Sequence, residues 1–345
     1  MKVKLSIIIV NWNTTDFLIK CLESIFENPP NVRFEIFVVD NNSDDDVCRV
    51  KELFPDIRLI KSDYNYGFGV GTNIGFRFSS SEYVMTLNPD TILPPETINK
   101  LIRTLEENKE IGIAAPVLKE QKVTKSQYSF FNLFFNSVIL RKCKDFFAAF
   151  QGAGESAPFD VEFISGTGYV CRTSALTENR VFSEDNFLFG EEYYLCRQML
   201  GTGYKIRVVP AARFEHHSNV TFKNDFERLS MASKLGASIS WRIRKEYWGK
   251  FLGIIGSSLL YLEIAVKWAA MLSLKSFSSS PDAHRKRIIG QCKSILLTYL
   301  PLLSDADKYL AEVNEQSKVF FNSGHKPLSP PTFKEVGNRL TADNS

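Results

Sequence analysis

The chain begins with short apolar runs that alternate with amphipathic stretches. Leu5 to Val10 is almost entirely apolar, which is typical of a parallel strand covered on both faces. Thr14 or Thr15 is the expected N-cap of a helix after this strand. The helix is predicted from the apolar positions that follow at helical spacing, Phe17, Leu18, Cys21, Leu22 and Ile25. The first unit is therefore a strand followed by a helix.

The same alternation of strand and helix continues along the chain. Further strands are predicted at Phe34–Val39, Ile57–Lys61, Tyr83–Leu87, Ile111–Leu118 and Ile206–Val209. Helical patterns separate most of them, including one that begins at Glu191 and Glu192. Strand and helix in this rhythm predict an α/β fold, a doubly wound and mostly parallel sheet with helices on both faces.

Three local patterns refine this prediction. Ser43 is followed three residues later by Asp46, a capping-box pattern that predicts a helix beginning at Ser43. The glycines from Gly67 to Gly71 have the spacing GxGxG rather than the GxGxxG of dinucleotide sites. They predict a tight loop before a helix over residues 72–79, where the backbone could approach a ligand closely. Residues 161–171 read as one strand with a glycine bend.

The C-terminal part has a different character. No charge falls between Lys250 and Glu263, but this stretch, Phe251 to Leu262, has only twelve residues. A bilayer span needs roughly 20 residues. Basic and aromatic clusters flank the apolar helices, a pattern that favours helices lying on a membrane surface. An ordinary helical hairpin packed on the main domain is the alternative. We therefore predict a main α/β domain over 1–225 with a variable insertion at 120–160, a helical membrane-interface extension over 226–312, and a flexible tail over 313–345.

Composition limits the function further. A formal net charge of +3 over 345 residues gives no indication of nucleic-acid binding. The six cysteines have no CxxC spacing, which argues against a zinc site and a disulfide framework and suits a reducing compartment. The apolar run at the N-terminus ends at Asn11 without a small-residue cleavage site. We therefore expect no signal peptide and expect the chemistry on the cytoplasmic side.

Polar side chains follow several of the predicted strands. They are Asn11 and Asn13 after the first strand, Asp40 after the second, Asn65 in the glycine loop, and Asn88 and Asp90 after the fourth. In a doubly wound sheet these strand ends meet at one crevice. The crevice offers carboxylates and amides but no lysine or arginine for phosphates. A nucleoside diphosphate would therefore need a divalent cation on a hard oxygen such as that of Asp90.

Each candidate residue also has a structural explanation. Asn-Pro-Asp is common in turns, so Asp90 on its own could be a turn residue. Glu191 and Glu192 at a helix start could simply complement the helix dipole. The adjacent His216 and His217 are, taken alone, more often structural than ligands. Only the combination of these features indicates a site.

That combination resembles a known family. The motifs are Ile-Ile-Ile-Val-Asn-Trp-Asn, Val-Val-Asp-Asn-Asn-Ser, Asn-Tyr-Gly-Phe-Gly-Val-Gly-Thr-Asn, Leu-Asn-Pro-Asp-Thr, Gly-Glu-Glu-Tyr-Tyr-Leu-Cys-Arg and Pro-Ala-Ala-Arg-Phe-Glu-His-His. In this order they resemble the inverting family-two glycosyltransferases with the GT-A fold, most closely the rhamnosyltransferase-like branch. The resemblance extends from about Lys4 to Asn219.

The resemblance implies a role for each matching residue. Asp40 would accept a hydrogen bond from the N3–H of uracil or thymine. The nucleotide sugar would lie against Asn11, Asn13, Asp40, Asn65, Gly67, Asn73, Asn88 and Asp90, and its sugar or the acceptor against Gly166 and Thr167. Mg²⁺ or Mn²⁺ would bind Asp90 and His216. Glu192 would be the general base, with Glu191 as the second candidate.

The implied activity is inverting transfer of a sugar, favoured to be rhamnose, from a dTDP- or UDP-sugar to a hydroxyl of a glycan or lipid-linked glycan. The enzyme would be peripheral on the inner face of the cell membrane. Asn88 stands where the family has the first acid of Asp-x-Asp, and Glu192 where it usually has Asp. A catalytically inactive, membrane-associated assembly partner is therefore an alternative. A sugar-1-phosphate nucleotidyltransferase would need a glycine-rich, arginine-bearing loop after the first strand, and residues 11–14 form no such loop.

Overall fold

The computed structural model describes residues 2–119, 156–164, 166–177, 180–217, 226–273, 289–290 and 292–322. Its strands are β1 (Leu5–Asn11), β2 (Phe34–Asp40), β3 (Arg58–Lys61), β4 (Tyr83–Leu87), β5 (Thr91–Ile92), β6 (Ile111–Leu118), β7 (Phe159–Val161), β8 (Gly168–Arg172) and β9 (Lys205–His216). The main helices are α1 (Thr15–Glu27), α2 (Cys48–Leu53), α3 (Phe68–Arg77), α4 (Thr97–Glu107), α5 (Glu191–Gly201), α6 (Phe226–Ser273), α7 (Tyr299–Ser304) and α8 (Ala306–Phe321).

The strands form one mixed sheet in the order β3-β2-β1-β4-β8-β6-β9-β5, with β7 beside β9. Strand β1 is parallel to both β2 and β4, and β6 is parallel to β9. Strand β8 runs antiparallel between β4 and β6, and β5 and β7 are antiparallel to β9. Most described strands thus run in one direction, which confirms the predicted α/β architecture. The carboxyl ends of β1, β2 and β4 lie at one edge.

Both faces of the sheet are buried, as the continuous apolar strands predict. Ile7 and Ile9 of β1 belong to a core that α1, α2 and α4 cover. Ile8 and Val10 point to the opposite face and pack into a second core with α3, α5, α6 and α8. Alternate side chains of one strand therefore contribute to two cores.

The start of α2 differs from the prediction. The helix begins at Cys48 and not at Ser43, so the capping-box prediction is wrong. The acidic run acts instead on α1, because Asp45 accepts a hydrogen bond of 2.8 Å from the backbone N–H of Thr15. Thr14 is the N-cap residue of α1 by position, but its hydroxyl donates to Asn11 rather than to the helix. A neighbouring loop supplies the cap that a local side chain was expected to supply.

Two other boundaries also differ. Helix α3 begins at Phe68 rather than at residue 72, so the glycines lie in its first turns. A Cβ at Gly71 would lie 2.9 Å from the Val10 side chain, so the glycine lets the helix approach β1 closely. The strand predicted over residues 161–171 is two strands, since β7 pairs with β9 whereas β8 pairs with β4 and β6.

The C-terminal helices join the main core. Helix α6 bends at Gly249, which has a φ of 78°, and its Ile239 packs in the same core as Ile8 of β1. Helix α8 runs to Phe321, so the prediction of a flexible tail is wrong for residues 313–322. The rest of the tail, insertion residues 120–155 and the basic cluster at 284–287 lie outside the described residues. None of the described helices combines the length and the apolar character that crossing a membrane requires.

Candidate functional site

A cavity of about 320 Å³ lies beyond the carboxyl ends of β1, β2 and β4. This volume lies in the usual range for small-ligand sites. Its lining residues are Val10, Trp12, Thr14, Asn41, Asn65, Gly67, Phe68, Asn88, Pro89, Asp90, Gly166, Thr167, Leu188, Phe189, Glu191 and Glu192. The strand ends therefore converge where the sequence predicted them to converge, and both candidate bases line the same cavity as Asp90.

Asp90 lines the cavity, and its neighbour His216 lies next to it, outside the residues that line the cavity. The two-residue strand β5 directly follows Asp90 and pairs with the end of β9, which sets Thr91 opposite His216. As a result, the Nε2 atom of His216 lies 3.2 Å from Oδ1 of Asp90. The backbone N–H of His217 donates to the Asp90 carbonyl at 2.9 Å. The strand pairing thus holds a carboxylate and an imidazole together beside the cavity.

These two side chains are suitable donors for a divalent cation. A hard carboxylate oxygen and an imidazole nitrogen both bind Mn²⁺, and Mg²⁺ is commonly held by one or two carboxylates plus substrate phosphates. Within the described part of the chain, no cluster of three or more His, Cys, Asp or Glu side chains is arranged to hold a metal. A bound ion would therefore need further ligands from a diphosphate and from water. The Asp90–His216 pair fits such a partly open site.

The acid pair Glu191 and Glu192, which also lines the cavity, opens helix α5. Two residues with positive φ precede it, Phe189 at 72° and Gly190 at 84°. Non-glycine residues rarely adopt this conformation, and it concentrates at functional sites. The turn directs Glu191 inward, where it is 2% exposed and its Oε1 has no hydrogen-bond partner. Burial, together with the charge of Glu192, raises the pKa of Glu191 to about 8.

Glu192 is half-buried and reaches over Gly166. A Cβ on Gly166 would lie 1.5 Å from Oε1 of Glu192, so only glycine leaves room for the carboxylate. Burial raises the pKa of Glu192 as well. The adjacent Thr167 accepts a hydrogen bond of 3.0 Å at its carbonyl from the backbone N–H of Asn88. Residues 166–167 therefore link the carboxylate of Glu192 to the end of β4.

The glycine loop also lines the cavity. The Asn65 side chain accepts a hydrogen bond from the N–H of Gly67 at 2.9 Å. The carbonyl of Gly67 in turn accepts one from Nδ2 of Asn41 at 2.9 Å. Gly67 has a φ of 87°, and a Cβ there would lie 1.9 Å from the Phe187 carbonyl oxygen. Glycine is needed at this position for its backbone conformation and for the close approach.

Four predicted nucleotide-binding residues do not line the cavity. Three of them form a hydrogen-bonded cluster beneath it, in which Nδ2 of Asn11 donates to Asp40 at 3.0 Å and Asn13 accepts from the backbone of Asp44 at 2.6 Å. The fourth, Asn73, is fully buried and accepts hydrogen bonds from the N–H groups of Val181 and Phe182. In this structure these side chains hold loops together, and the role predicted for Asp40 in base recognition stays a prediction.

The structure also brings in residues that the sequence analysis did not select. Trp12 and Asn41 line the cavity, although only the residues next to them were predicted to belong to the site. Phe189 lines the cavity and is 39% exposed. The guanidinium of Arg228, on α6, lies 4.8 Å from the Trp12 ring centroid and brings a positive charge near a cavity expected to have none. No local pattern could indicate this contact, because the two residues are far apart in sequence.

Comparison with known proteins agrees with this fold. The chain is 24% identical over 238 residues to the rhamnosyltransferase WbbL of Escherichia coli K12, covering 63% of this chain and 85% of the relative. It is 29% identical over 132 residues to an uncharacterized glycosyltransferase of Haemophilus influenzae, covering 36% of this chain and 41% of that protein. The mannosyltransferase PcManGT of Pyrobaculum calidifontis, solved with GDP-Man and Mn²⁺, superposes with a TM-score of 0.52 at 14% identity, covering 93% and 88% of the two chains. This structural likeness confirms the GT-A fold.

Two family profiles match the chain. The profile "Glycosyl transferase family 2" matches residues 6–157, and the profile "Glycosyl transferase family group 2" matches residues 83–302. Together they include the glycine loop, the Asn-Pro-Asp turn, the acid pair and the histidines. The second profile alone spans more than half of the chain. The family predicted from the motifs is thereby confirmed, and the chain belongs to the family-2 group of glycosyltransferases.

Proposed function

We propose that the protein is an inverting glycosyltransferase that moves a sugar from a nucleoside-diphosphate donor to a hydroxyl of a glycan acceptor. The observation that supports this most is that Asp90 and the acid pair Glu191 and Glu192 line the same cavity. In the reaction, Glu192 takes the proton of the acceptor hydroxyl. The hydroxyl oxygen bonds to the anomeric carbon as the bond to the diphosphate breaks on the opposite face, which inverts the configuration.

The environment of the acid pair supports Glu192 as the base. Burial raises the pKa of Glu192, whereas Glu191 is raised by burial and also by the charge of Glu192. Because the two carboxyl groups interact, the loss of the first proton from the pair makes the loss of the second harder. Glu192 is also the more exposed of the two, beside Gly166. A general base must be ionised to accept a proton, and a second carboxyl group buried beside it is more stable in the neutral form.

We further propose that Asp90 and His216 hold Mg²⁺ or Mn²⁺. Their donor atoms lie 3.2 Å apart, and both Asp90 and the neutral Asn88 line the cavity. When bound, the ion would neutralise the negative charge that develops on the diphosphate. The mannosyltransferase relative in complex with GDP-Man and Mn²⁺ supports a metal-assisted nucleotide site. A dTDP- or UDP-sugar, favoured to be dTDP-rhamnose, is the proposed donor, in line with the similarity to a rhamnosyltransferase.

The proposed acceptor is a lipid-linked glycan at the inner face of the cell membrane. Helix α6 carries a row of exposed apolar side chains, Phe251, Leu252, Ile255, Leu259, Leu262 and Val266. Phe251 is 76% exposed, and Leu300 of α7 is 73% exposed. Apolar side chains in a helical row are suited to the membrane interface. Sedimentation with anionic phospholipid vesicles tests this proposal, and Phe251→Ser together with Leu262→Ser should reduce the bound fraction.

A donor assay tests the enzymatic proposal. Purified protein is incubated with dTDP-rhamnose and a panel of UDP-sugars, with and without Mn²⁺, and released nucleotide is measured beside product formation. The wild type should release nucleotide, whereas Glu192→Gln should be slower by 10²-fold or more. Proton NMR of the product linkage should show the inverted anomer. If the wild type and Glu192→Gln are equally inactive with every donor, the protein is instead an inactive relative that serves as a membrane-associated assembly partner.

A further inference from the structure

One face of helix α8 contacts three separate segments of the cavity wall. These segments are the turn after β1 with Trp12, the glycine loop with Asn65, and residues 185–189 before the acid pair. The helix itself lies at the far end of the described chain. Its contacts to these segments are made by Asn314, Phe321 and the C-cap residue Asn322.

Asn322 binds the backbone of Asn65 in the manner of a paired strand. Its Oδ1 accepts from the N–H of Asn65 at 2.7 Å, and its Nδ2 donates to the carbonyl of the same residue at 3.0 Å. Asn322 is 6% exposed, so both hydrogen bonds are shielded from water. The Asn65 side chain then holds Gly67, whose carbonyl accepts from Asn41 on the cavity wall. A continuous chain of hydrogen bonds thus leads from α8 into the cavity.

Asn314 makes the same type of contact with the segment before the acid pair. Its Oδ1 accepts from the N–H of Phe187 at 2.8 Å, and its Nδ2 donates to the Asp185 carbonyl at 2.6 Å. Asn314 is 7% exposed. The positive-φ turn at Phe189 and Gly190 follows directly. The contact therefore fixes the chain a few residues before the acid pair.

Apolar contacts from the C-terminal helices complete this arrangement. The Phe321 ring stacks on Phe187 at a centroid distance of 5.4 Å and meets the Trp12 ring edge-on at 5.6 Å. From α6, the Phe189 ring lies against Gly236, where an added Cβ would be 3.4 Å away. Helices α6 and α8 thus both contact the segment before the acid pair. Both helices follow the predicted site residues in the sequence.

We infer that α8 is a functional part of the donor site, with Asn322 as the positioning residue of the glycine loop and Asn314 as the positioning residue of the acid pair. A buried side-chain amide without hydrogen-bond partners destabilises the folded state. Each of these asparagines therefore favours the one position of the neighbouring backbone in which both of its hydrogen bonds form. Their backbone partners lie in or next to the segments that line the cavity. This inference rests on the proposed function for its kinetic consequences but not for its structural ones.

The two asparagines should affect different kinetic constants. Asn322→Ala frees the loop against which the nucleotide lies, so KM for the donor and Kd for UDP and dTDP with Mn²⁺ should rise about tenfold, equivalent to about 1.4 kcal/mol. The kcat should stay within about twofold, because the acid pair is not disturbed. Asn314→Ala should do the reverse, lowering kcat at least about tenfold with Kd nearly unchanged. General destabilisation would not separate the two constants in this way.

Ser317→Ala is the matched control on the same helix. Ser317 is fully buried between the two asparagines, and its hydroxyl donates within α8 to the Val313 carbonyl. The substitution therefore disturbs the buried face of the helix without touching a site segment. Its kcat, KM and nucleotide Kd should match those of the wild type. If it reproduces the effects of both asparagine variants, the role of α8 is general packing and the inference is overturned.

Hydrogen exchange of the full-length protein gives a readout that needs no substrate. Peptides covering residues 64–68 should exchange faster in Asn322→Ala, and peptides covering 185–190 should do so in Asn314→Ala, with neither change in Ser317→Ala. If these local changes occur but no nucleotide binds, the proposed function fails while the positioning role stands. If nucleotides bind and the variants match Ser317→Ala in kinetics and exchange, the positioning role fails. Faster exchange throughout the chain would also overturn it.

Discussion

Replacing Glu191 with glutamine should stabilise the protein at neutral and alkaline pH. Glu191 is 2% exposed and its Oε1 has no hydrogen-bond partner. The negative charge of its ionised form is therefore costly in the folded state, and the pKa is raised to about 8. Glutamine has nearly the same shape and no charge. The substitution should remove the cost of burying an ionised carboxylate and leave the packing of α5 in place.

The magnitude and its pH range follow from the pKa shift. Between a reference pKa of 4.5 and about 8, the unfolded chain has released the proton while the folded chain retains it. Wild-type stability therefore falls as pH rises through this window and levels off above it. One pH unit corresponds to about 1.4 kcal/mol, so the loss at pH 7 is on the order of 3 kcal/mol. Glu191→Gln does not titrate and should avoid this loss.

Scanning calorimetry at pH 5, 6, 7 and 8 measures the effect. The melting temperatures of variant and wild type should nearly coincide at pH 5, and the variant should melt higher by roughly 5 °C at pH 8. Glu315→Gln, at an exposed position on α8 where the side chain pairs with Lys318, should show no such trend. An equal or lower melting temperature for Glu191→Gln at pH 8 would refute the reasoning, because it would mean that the buried charge is compensated.

Three further predictions concern activity. Gly166→Ala would push its Cβ against the Glu192 carboxylate and should lower kcat by about 10²-fold with little effect on UDP binding, whereas Gly201→Ala, which meets nothing within 4 Å, should leave kcat unchanged. Similar kcat values for these two variants would contradict the placement of Glu192. Asp90→Asn should abolish the Mn²⁺-dependent part of UDP or dTDP binding in titration calorimetry, and an unaltered Mn²⁺ dependence would exclude Asp90 as a ligand. In pH profiles, the acidic limb of kcat/KM should lie above pH 4.5, the ordinary glutamate value, because burial raises the pKa of Glu192, and a profile without such a limb would contradict a carboxylate base with a raised pKa.

The turns and loops of the candidate site were easier to predict from the sequence than the pairing of Asp90 with His216. The Asn-Pro-Asp turn and the glycine loop were recognisable because strand ends and turns have local signals in the sequence. The partner of Asp90 depended on a strand of two residues, Thr91 and Ile92, which is too short for any pattern to predict. Its pairing with β9 nevertheless decides that His216 lies beside Asp90. Motif resemblance suggested that pair, and the pairing of β5 with β9 supplies its physical reason.

Local patterns also gave a wrong prediction where a helix is capped by a residue that is distant in sequence. The acids after Ser43 were assigned to their own helix, yet Asp45 caps α1. Asn11 and Asp40, which the sequence predicts to bind a ligand, also bind each other, because adjacent parallel strands place them in register. A polar residue at a strand end signals that the strand stops there. It does not tell whether the side chain faces a ligand or a neighbouring loop.

The sequence by itself determined the α/β architecture and the edge of the sheet at which the cavity lies, and its motifs identified the family. The architecture and the edge follow from hydrophobic periodicity and turn chemistry, which act over a few residues. Only the tertiary structure decided which side chains line the cavity and that the C-terminal helices belong to its wall. The contact between Asn65 and Asn322 joins residues 257 positions apart. Such a contact arises from packing on the shared core, and no local pattern contains it.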